Sequence, residues 1–257
     1  MSSNDSMKKT LLVAFSLCIV CSVIVSTAAV LPKPAQEVNK ALDRKRNILA
    51  AAGMLEEGKS VDEQFSAIST RVVDLRSGKF TDEVDPAEYD QLAAASTPST
   101  STDLSREEDI AGLGRRENFS QVYLVEDPQG DISKIILPVR GPGLWSTLYG
   151  FIALEADANT VAGLGFYEHG ETPGLGGEVD NPRWKAHWPG KKVYRDGDVA
   201  IGLIKGSVDP SSPKAEWQID GLAGATLTAR GVTNLVQFWL GENGFQPFLN
   251  NLKSGEA

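Results

Sequence analysis

The fold class of this chain is decided by residues 121–141, which read QVYLVEDPQGDISKIILPVRG. Apolar and β-branched residues fill both ends of this stretch, and Asp127-Pro128-Gln129-Gly130 between them is typical of a turn. The pattern predicts two strands that form an antiparallel hairpin. Two later stretches, WSTLYGFIALEAD (145–157) and TVAGLGFYEH (160–169), are each predicted to add a further strand pair. Helices are predicted mainly toward the two ends of the chain, so the fold class is α+β, with an antiparallel sheet and flanking helices.

The N-terminus carries an apolar run from Thr10 to Leu31, TLLVAFSLCIVCSVIVSTAAVL, which contains no charged residue. At about 1.5 Å per residue, a helix of this length crosses a hydrocarbon core of about 30 Å. We therefore predict a transmembrane anchor at 10–31, preceded by a short segment at 1–9. The apolar part of a signal peptide is shorter, about 7–15 residues, although the small residues at 26–29 leave cleavage open. Basic residues flank both ends of the run, so charge alone does not decide which side of the membrane holds the large domain.

The residues after the anchor divide into two predicted regions. Residues 32–116 are predicted to be helical and extended. Within them, residues 92–105 read LAAASTPSTSTDLS, which is poor in large apolar residues and rich in Ser and Thr. Such a composition predicts a surface loop. The β-rich region at 117–257 is predicted to be a domain of its own.

Charge and cysteine content exclude several classes of protein. The net charge of the 257 residues is −9, whereas a surface that binds nucleic acid must be basic, so nucleic acid is excluded as a partner. Both cysteines, Cys18 and Cys21, lie in the apolar run. Hydrocarbon raises the pKa of a thiol, so we interpret them as membrane residues rather than a redox pair. The rest of the chain has no thiolate for a disulfide, a zinc site or an iron–sulfur cluster.

Two glycine-rich stretches are candidates for ligand contact. Residues 141–146, GPGLWS, predict a tight turn that leaves Trp145 and Ser146 at its end; the alternative is an ordinary turn with Trp145 in the core. Residues 169–178, HGETPGLGGE, cannot form regular structure, and their backbone can approach a ligand closely. Neither a P-loop pattern nor a dinucleotide fingerprint is present, so a nucleotide P-loop is excluded. A functional loop and a long turn both stay open.

A third stretch, DGLAGATLT at residues 220–228, stands directly before a predicted helix. Thr226 and Thr228 therefore lie near a helix N-terminus, where free N–H groups and the positive dipole end favour a phosphate. Gly224 and Ala225 leave the approach to the threonines clear. The alternative is that a threonine only caps the helix. The apolar face of this helix is predicted from five residues at helical spacing: Val232, Leu235, Val236, Trp239 and Leu240.

Hydrolase and metal chemistry are excluded by the residues available. The chain has two histidines, His169 and His187, and lacks both a G-x-S-x-G elbow and an H-E-x-x-H pair. We therefore predict no catalytic residue and no metal ligand. His187 is interpreted as a structural or surface residue, while a direct role for His169 beside the glycine-rich loop stays open.

Three stretches, GPGLWSTLYGFIAL, EHGETPGLGGEVDNPRW and DGLAGATLT…FWLGENGF, together resemble the NqrC family, which supplies a subunit of the Na⁺-translocating NADH:quinone oxidoreductase, a bacterial membrane complex. The resemblance covers nearly the whole chain. DGLAGAT is similar to the flavinylation motif Asp-x-x-Ser/Thr-Gly-Ala-Thr, whose last threonine accepts FMN through a phosphoester bond. The resemblance thus implies that Thr226 carries FMN and that Asp220 is the acidic residue of the motif. Ala223 departs from the motif, which prefers Ser or Thr there; attachment is expected to survive because the other motif residues are intact.

The resemblance also implies where the cofactor lies. Residues 117–257 would form the FMN-binding domain, with the phosphate at the helix N-terminus beside Gly224 and Ala225. The isoalloxazine ring needs an apolar or aromatic wall and a closely approaching loop. The residues implied for these contacts are Leu144, Trp145, Ser146, Glu171, Thr172, Gly174 and Leu175.

The implied function is that of an electron carrier that relays electrons from NADH toward ubiquinone in a respiratory sodium pump. NADH oxidation, sodium passage and quinone reduction would belong to other subunits. The chain would cross the bacterial inner membrane once, with residues 1–9 in the cytoplasm and the large domain in the periplasm, where a flavin transferase uses FAD to modify the threonine. Two alternatives are RnfG, a shorter protein of the related Rnf complex that shares the motif and the anchor, and an anchored binding module without flavin.

Overall fold

A computed structural model describes residues 6–257, which divide into two units between Asp43 and Arg44. Most of the predicted segment at 1–9 lies outside the described residues. The first unit contains helix α1 (Met7–Val30), whose residues are all exposed, and Ser6 caps it by accepting a hydrogen bond from the backbone N–H of Lys9. The predicted apolar helix is confirmed, and within residues 6–257 it belongs to the one helical stretch long and apolar enough to cross a membrane. A second helix, α2 (Lys33–Ala51), begins in the first unit and ends in the second.

The second unit contains a six-stranded antiparallel sheet, smaller strand pairs and helices. Its helices are α3 (Val61–Phe65), α4 (Gln91–Ser96), α5 (Pro182–Lys185), α6 (Thr226–Trp239) and α7 (Gln246–Ser254). The strands of the sheet are β1 (Ile68–Asp74), β2 (Lys79–Phe80), β5 (Phe119–Glu126), β6 (Ile132–Pro142), β7 (Thr147–Glu155) and β8 (Val161–Glu168). The short strands are β3 (Ser101–Asp103), β4 (Arg115–Glu117), β9 (Tyr194–Arg195), β10 (Asp198–Val199), β11 (Gly202–Leu203) and β12 (Gln218–Ile219). Short 3₁₀ helices occupy Gly176–Asp180 and Ala215–Trp217.

The strand order of the sheet is β2-β1-β5-β6-β7-β8. The predicted hairpin is confirmed, because β5 and β6 pair antiparallel and Asp127 accepts backbone hydrogen bonds from Gln129 and Asp131 in the turn. The prediction of further strand pairs within 145–157 and within 160–169 is wrong. Each stretch forms one strand, β7 and β8, and the two pair with each other. No turn residue interrupts β7, since Gly150 stays extended within the strand.

Alternating residues of the central strands fill two separate cores. On one face, Leu124, Leu137 and Ile152 pack with the apolar residues of α6 and α7. On the other face, Tyr123 and Phe151 pack with the C-terminal end of α2. Because successive side chains of a strand point to opposite faces, a sheet covered on both sides has nearly continuous apolar strands. The predicted apolar face of α6 is confirmed, and its five residues are all buried.

The predicted surface loop at 92–105 is not a single loop. It contains the end of α4 and all of β3, and Ala94, Ala95 and Ser101 are buried. The side chain of Asp90 caps α4 by accepting hydrogen bonds from the backbone of residues 92 and 93. Alanine and serine bury little apolar area, so a search for large apolar residues overlooks a short helix built from them.

The compact unit is longer than the predicted domain at 117–257, because it begins at Arg44. Strand β1 pairs along its whole length with β5, from Ile68 opposite Val125 to Asp74 opposite Phe119. The end of α2 contributes Ile48 and Leu49 to the core beneath the sheet, and Leu49 is fully buried. Residues 44–116 are thus part of the same folded unit as the residues that follow.

Replacing Leu49 with alanine is expected to lower the free energy of unfolding by about 2–5 kcal/mol, because the change leaves a cavity in this core. Val38→Ala on the same helix is the control, since Val38 is exposed and its truncation should leave stability unchanged. Chemical denaturation of the full chain in detergent measures both. Equal stability of the two variants would mean that residues 44–52 are not part of the folded unit.

Candidate functional site

The three stretches singled out in the sequence meet at the carboxylate of Glu171, which is 5% exposed. Oε1 of this carboxylate accepts hydrogen bonds from the backbone N–H of Leu144 at 3.0 Å and of Trp145 at 2.9 Å, with that of Ser146 at 3.4 Å. Oε2 accepts a hydrogen bond of 2.5 Å from the hydroxyl of Thr228. One side chain of the glycine-rich loop thereby connects the turn before β7 to the first turn of α6.

Glycines on both sides make room for this carboxylate. A Cβ atom at Gly143 would lie 2.5 Å from Oε1 of Glu171. A Cβ atom at Gly176 would lie 2.5 Å from Oε2 and 2.6 Å from the hydroxyl oxygen of Thr228. The glycines of the two stretches are therefore required by the close approach of backbone to side chain.

The ionised form of Glu171 is stabilised where it lies. Burial raises the pKa of this carboxyl, but the hydrogen bonds from Thr228 and from the backbone of residues 144–146 outweigh burial and hold the pKa below its ordinary value of 4.5. Hydrogen bonds to a charged acceptor are stronger than those between neutral groups. The three segments are therefore held together by a charge as well as by packing.

The two threonines of DGLAGATLT have different environments. The hydroxyl of Thr228 is fully buried and bonded to Glu171. Thr226 is the first residue of α6 and is exposed, and within residues 6–257 its hydroxyl has no hydrogen-bond partner. The alternative that a threonine caps the helix is wrong, because α6 begins after Ala225 without any side-chain cap. Its first turn also has no acidic residue, so the N–H groups and the positive dipole end face outward uncompensated.

Thr226 opens into a cleft of about 590 Å³. Its walls are residues 203–207, residues 221–224 and the outer face of α6. Two cations line it, Lys205 from one wall and Arg230 from α6, one helical turn after Thr226. Gly224 has a φ of +72°, a backbone conformation that side chains rarely adopt. A Cβ atom there would also lie 3.0 Å from a methyl carbon of Leu175, so the cleft directly adjoins the glycine-rich loop.

Large apolar side chains are exposed on the segments around Thr226. Trp145 is 70% exposed, so the alternative that it belongs to the core is wrong. Leu144 beside it, Leu175 on the glycine-rich loop and Leu227 directly after Thr226 are also exposed. In the unit from Arg44 to Ala257, only Leu92 and Ile110 are exposed large apolar residues elsewhere. Such a concentration on a soluble unit is typical of a binding surface.

The remaining predicted site residues support the loops or face another way. The hydroxyl of Ser146 accepts a hydrogen bond from the backbone N–H of Gly170 at 2.5 Å, and Thr172 accepts backbone hydrogen bonds that close the loop through its carbonyl oxygen. Gly174 has a φ of +76° in the same loop. Ala225 is buried next to Thr226. The side chain of Asp220 lies outside the Thr226 cleft, in a neighbouring cleft with His187.

His169 supports the glycine-rich loop rather than the cleft. Its Nε2 lies 2.7 Å from the carboxylate of Asp180, and its Nδ1 accepts a hydrogen bond from the backbone N–H of Glu171 at 3.2 Å. Across the described residues, no group of acidic, histidine and cysteine side chains has the arrangement of a metal site. Sequence reasoning missed the cleft residues Lys205, Arg230 and Leu227. The helical spacing from Thr226 could have indicated Arg230, whereas nothing in the local sequence indicates Lys205.

The turn, the glycine-rich loop and the helix that bears Thr226 form an FMN-binding domain, since residues 143–241 match the family of that description. NqrC of the Na⁺-translocating NADH-quinone reductase from Pseudomonas aeruginosa is 58% identical over 262 residues, which cover 100% of both chains. Its counterpart from Yersinia pestis is 47% identical over 98% of this chain and 96% of that protein. The crystal structure of NqrC from Shewanella oneidensis has a TM-score of 0.77 at 36% identity, over 84% of this chain and 99% of that one. The chain belongs to the NqrC family of the Na⁺-translocating NADH-quinone reductase, and is thus a flavoprotein subunit of an oxidoreductase complex.

Thr228→Val is expected to lower the free energy of unfolding by about 1–3 kcal/mol, because it leaves a buried carboxylate oxygen without its donor. Thr226→Val is the matched control: the Thr226 hydroxyl is exposed and unpartnered, so stability should change little. Denaturant titration of the two full-length variants without cofactor measures the difference. A larger loss from Thr226→Val than from Thr228→Val would contradict the hydrogen-bond assignment.

The stability that Glu171 contributes should depend on pH. Because its folded pKa lies below 4.5, the contribution is fully present above that pH and is lost as the pH falls through the folded pKa. We expect the stability difference between wild type and Glu171→Gln to be constant at neutral pH and to shrink below about pH 4.5. Denaturant titrations of both proteins between about pH 3 and pH 7 measure this difference. A difference that grows toward acid pH would reverse the sign and refute the assignment.

Proposed function

We propose that Thr226 carries FMN through a phosphoester bond to its hydroxyl, and that the chain relays electrons from NADH toward ubiquinone within the sodium-translocating complex. The observation that supports this most is the contrast between the two threonines. Thr228 uses its hydroxyl to bind Glu171, whereas the hydroxyl of Thr226 is exposed and unpartnered at an uncapped helix N-terminus. A structural threonine does not need that environment, but an attachment site does.

The phosphate fits the cleft around Thr226. The first N–H groups of α6 have no partner inside the helix, and the positive end of the helix dipole attracts an anion. Lys205 and Arg230 line the same cleft and add two positive charges. In the cleft wall, Gly224 and the exposed Ala223 present no bulky side chain toward the threonine. Since Ala223 is exposed, the missing motif hydroxyl leaves no buried group unpaired.

The ring fits the apolar surface beside the cleft. Leu144 and Trp145 on the turn, together with Leu175 and Leu227, offer apolar and aromatic area that is exposed without a ligand. The bond network of Glu171 holds the turn and the glycine-rich loop in fixed positions relative to α6. A flavin supplies the electron transfer when it is bound; the protein supplies its position and its electrostatic surroundings.

Attachment requires a flavin transferase that uses FAD. The hydroxyl oxygen of Thr226 forms a bond to the phosphorus of the FMN half of FAD, and the pyrophosphate bond breaks. AMP leaves, and the hydroxyl proton passes to a base of the transferase or to water. The exposure of Thr226 suits this step, because the modifying enzyme must reach the hydroxyl.

The membrane helix and the partners follow from the same proposal. Helix α1 anchors the chain to the bacterial inner membrane by a single pass, with the flavin-bearing unit in the periplasm, where the transferase acts. The other subunits of the complex are its electron-transfer partners. Of the two alternatives, RnfG is disfavoured by the full-length match to NqrC, and the module without flavin by the missing threonine cap.

Flavin fluorescence of the denatured chain in a gel tests the attachment. We expect a fluorescent wild-type band on co-expression with an active flavin transferase, and a dark band for Thr226→Val, which lacks the acceptor oxygen. Thr228→Ser is the matched control: it keeps the hydroxyl that binds Glu171 and should stay fluorescent. A fluorescent Thr226→Val band would refute Thr226 as the site. A dark wild-type band would refute covalent attachment.

A further inference from the structure

Asp220 is the acidic residue of the flavinylation motif, yet its side chain lies outside the Thr226 cleft. It lines a separate cleft of about 540 Å³, together with His187, Lys191 and Glu216. The two clefts lie on opposite sides of a thin partition made of residues 206–208 and residues 220–221. Gly206, Ser207 and Gly221 line the Thr226 side of the partition, whereas Val208 and Asp220 line the other side.

Hydrogen bonds across the partition hold its two segments together. The backbone N–H of Gly221 donates to the carbonyl oxygen of Gly206 at 2.8 Å. Oδ1 of Asp220 accepts a hydrogen bond from the backbone N–H of Val208, also at 2.8 Å. A Cβ atom at Gly221 would lie 2.2 Å from the carbonyl oxygen of Ile204, so the two segments are too close for a side chain there. The Asp220 carboxylate is thus the side-chain link in an otherwise backbone-only contact.

Asp220 is itself fixed from the side away from Thr226. Its carbonyl oxygen accepts a hydrogen bond of 2.9 Å from the indole N–H of Trp184, which is buried. Its second carboxylate oxygen lies 3.8 Å from Nε2 of His187. The residue is therefore an anchored point from which the segment of Lys205 and Ser207 is held against the start of α6.

We propose that Asp220 is a positioning residue for the modification of Thr226. By accepting the N–H of Val208, it fixes the wall that presents Lys205 to the phosphate, and it neither contacts the flavin nor takes the proton of Thr226. This rests on the proposed function, since it concerns the same attachment site. The role requires a hydrogen-bond acceptor at Oδ1 and not a negative charge, so asparagine can replace aspartate whereas alanine cannot.

The test compares the initial rates of flavin incorporation into full-length wild type, Asp220→Asn and Asp220→Ala, each incubated with purified flavin transferase and FAD. We expect Asp220→Asn to be modified within about twofold of the wild-type rate. Asp220→Ala should be slower by about tenfold or more, because loss of the acceptor displaces one wall of the site. Glu216→Gln is the charge control: it removes an exposed carboxylate from the same cleft and should react like wild type.

Hydrogen exchange of the Val208 amide provides a second readout that does not depend on modification. We expect slow exchange in wild type and in Asp220→Asn, and faster exchange in Asp220→Ala, with melting temperature recorded as a measure of global folding. If Asp220→Asn is as slow to modify as Asp220→Ala while its Val208 amide stays protected, the charge itself is needed and the proposal is overturned. Normal modification of Asp220→Ala would overturn it as well. A wild-type chain that accepts no flavin would instead refute the proposed function, and Asp220→Asn decides the case even if Asp220→Ala does not fold.

Discussion

The site depends on one buried carboxylate that accepts hydrogen bonds from two other parts of the chain. Glu171 binds the backbone of the turn at 144–146 and the hydroxyl of Thr228, which lies 57 positions further along the chain. A buried charge is costly unless it is fully hydrogen-bonded, so these partners cannot be exchanged for water without loss of stability. The glycines at 143 and 176 follow from this constraint, because only a residue without a side chain leaves space for the carboxylate.

The same constraint separates the roles of two threonines that are two positions apart. Thr228 faces inward from the first turn of α6 and is used for structure, while Thr226 faces outward with its hydroxyl unpartnered. The helix thereby gains no cap, which would ordinarily stabilise it by about 1 kcal/mol. Packing of its apolar face against the sheet offsets that loss, and the uncapped N-terminus stays available for an anion. Stability and attachment are therefore assigned to different residues of one short motif.

Local patterns in the sequence predicted the elements that depend on local physics. The hairpin at 121–141, the apolar helix and the apolar face of α6 each follow from periodicity and turn residues, and each is present. The pairing of β1 with β5 and the burial of small residues in 92–105 were not predicted, because they depend on contacts between distant parts of the chain. The site residues came from the resemblance to a family. It indicated which stretches matter but not that Glu171 links them, nor that the side chain of Asp220 faces away from Thr226.

Peptide fragmentation by mass spectrometry decides whether the loops around Glu171 leave Thr226, and not Thr228, free to accept the cofactor. The wild-type chain is purified after co-expression with a flavin transferase and digested to the peptide that holds both threonines. We expect the added mass of FMN, less one water, on Thr226, with Thr228 unmodified in the same peptide. FMN found on Thr228 would contradict the separation of roles, because that hydroxyl would then have to leave Glu171 and the core.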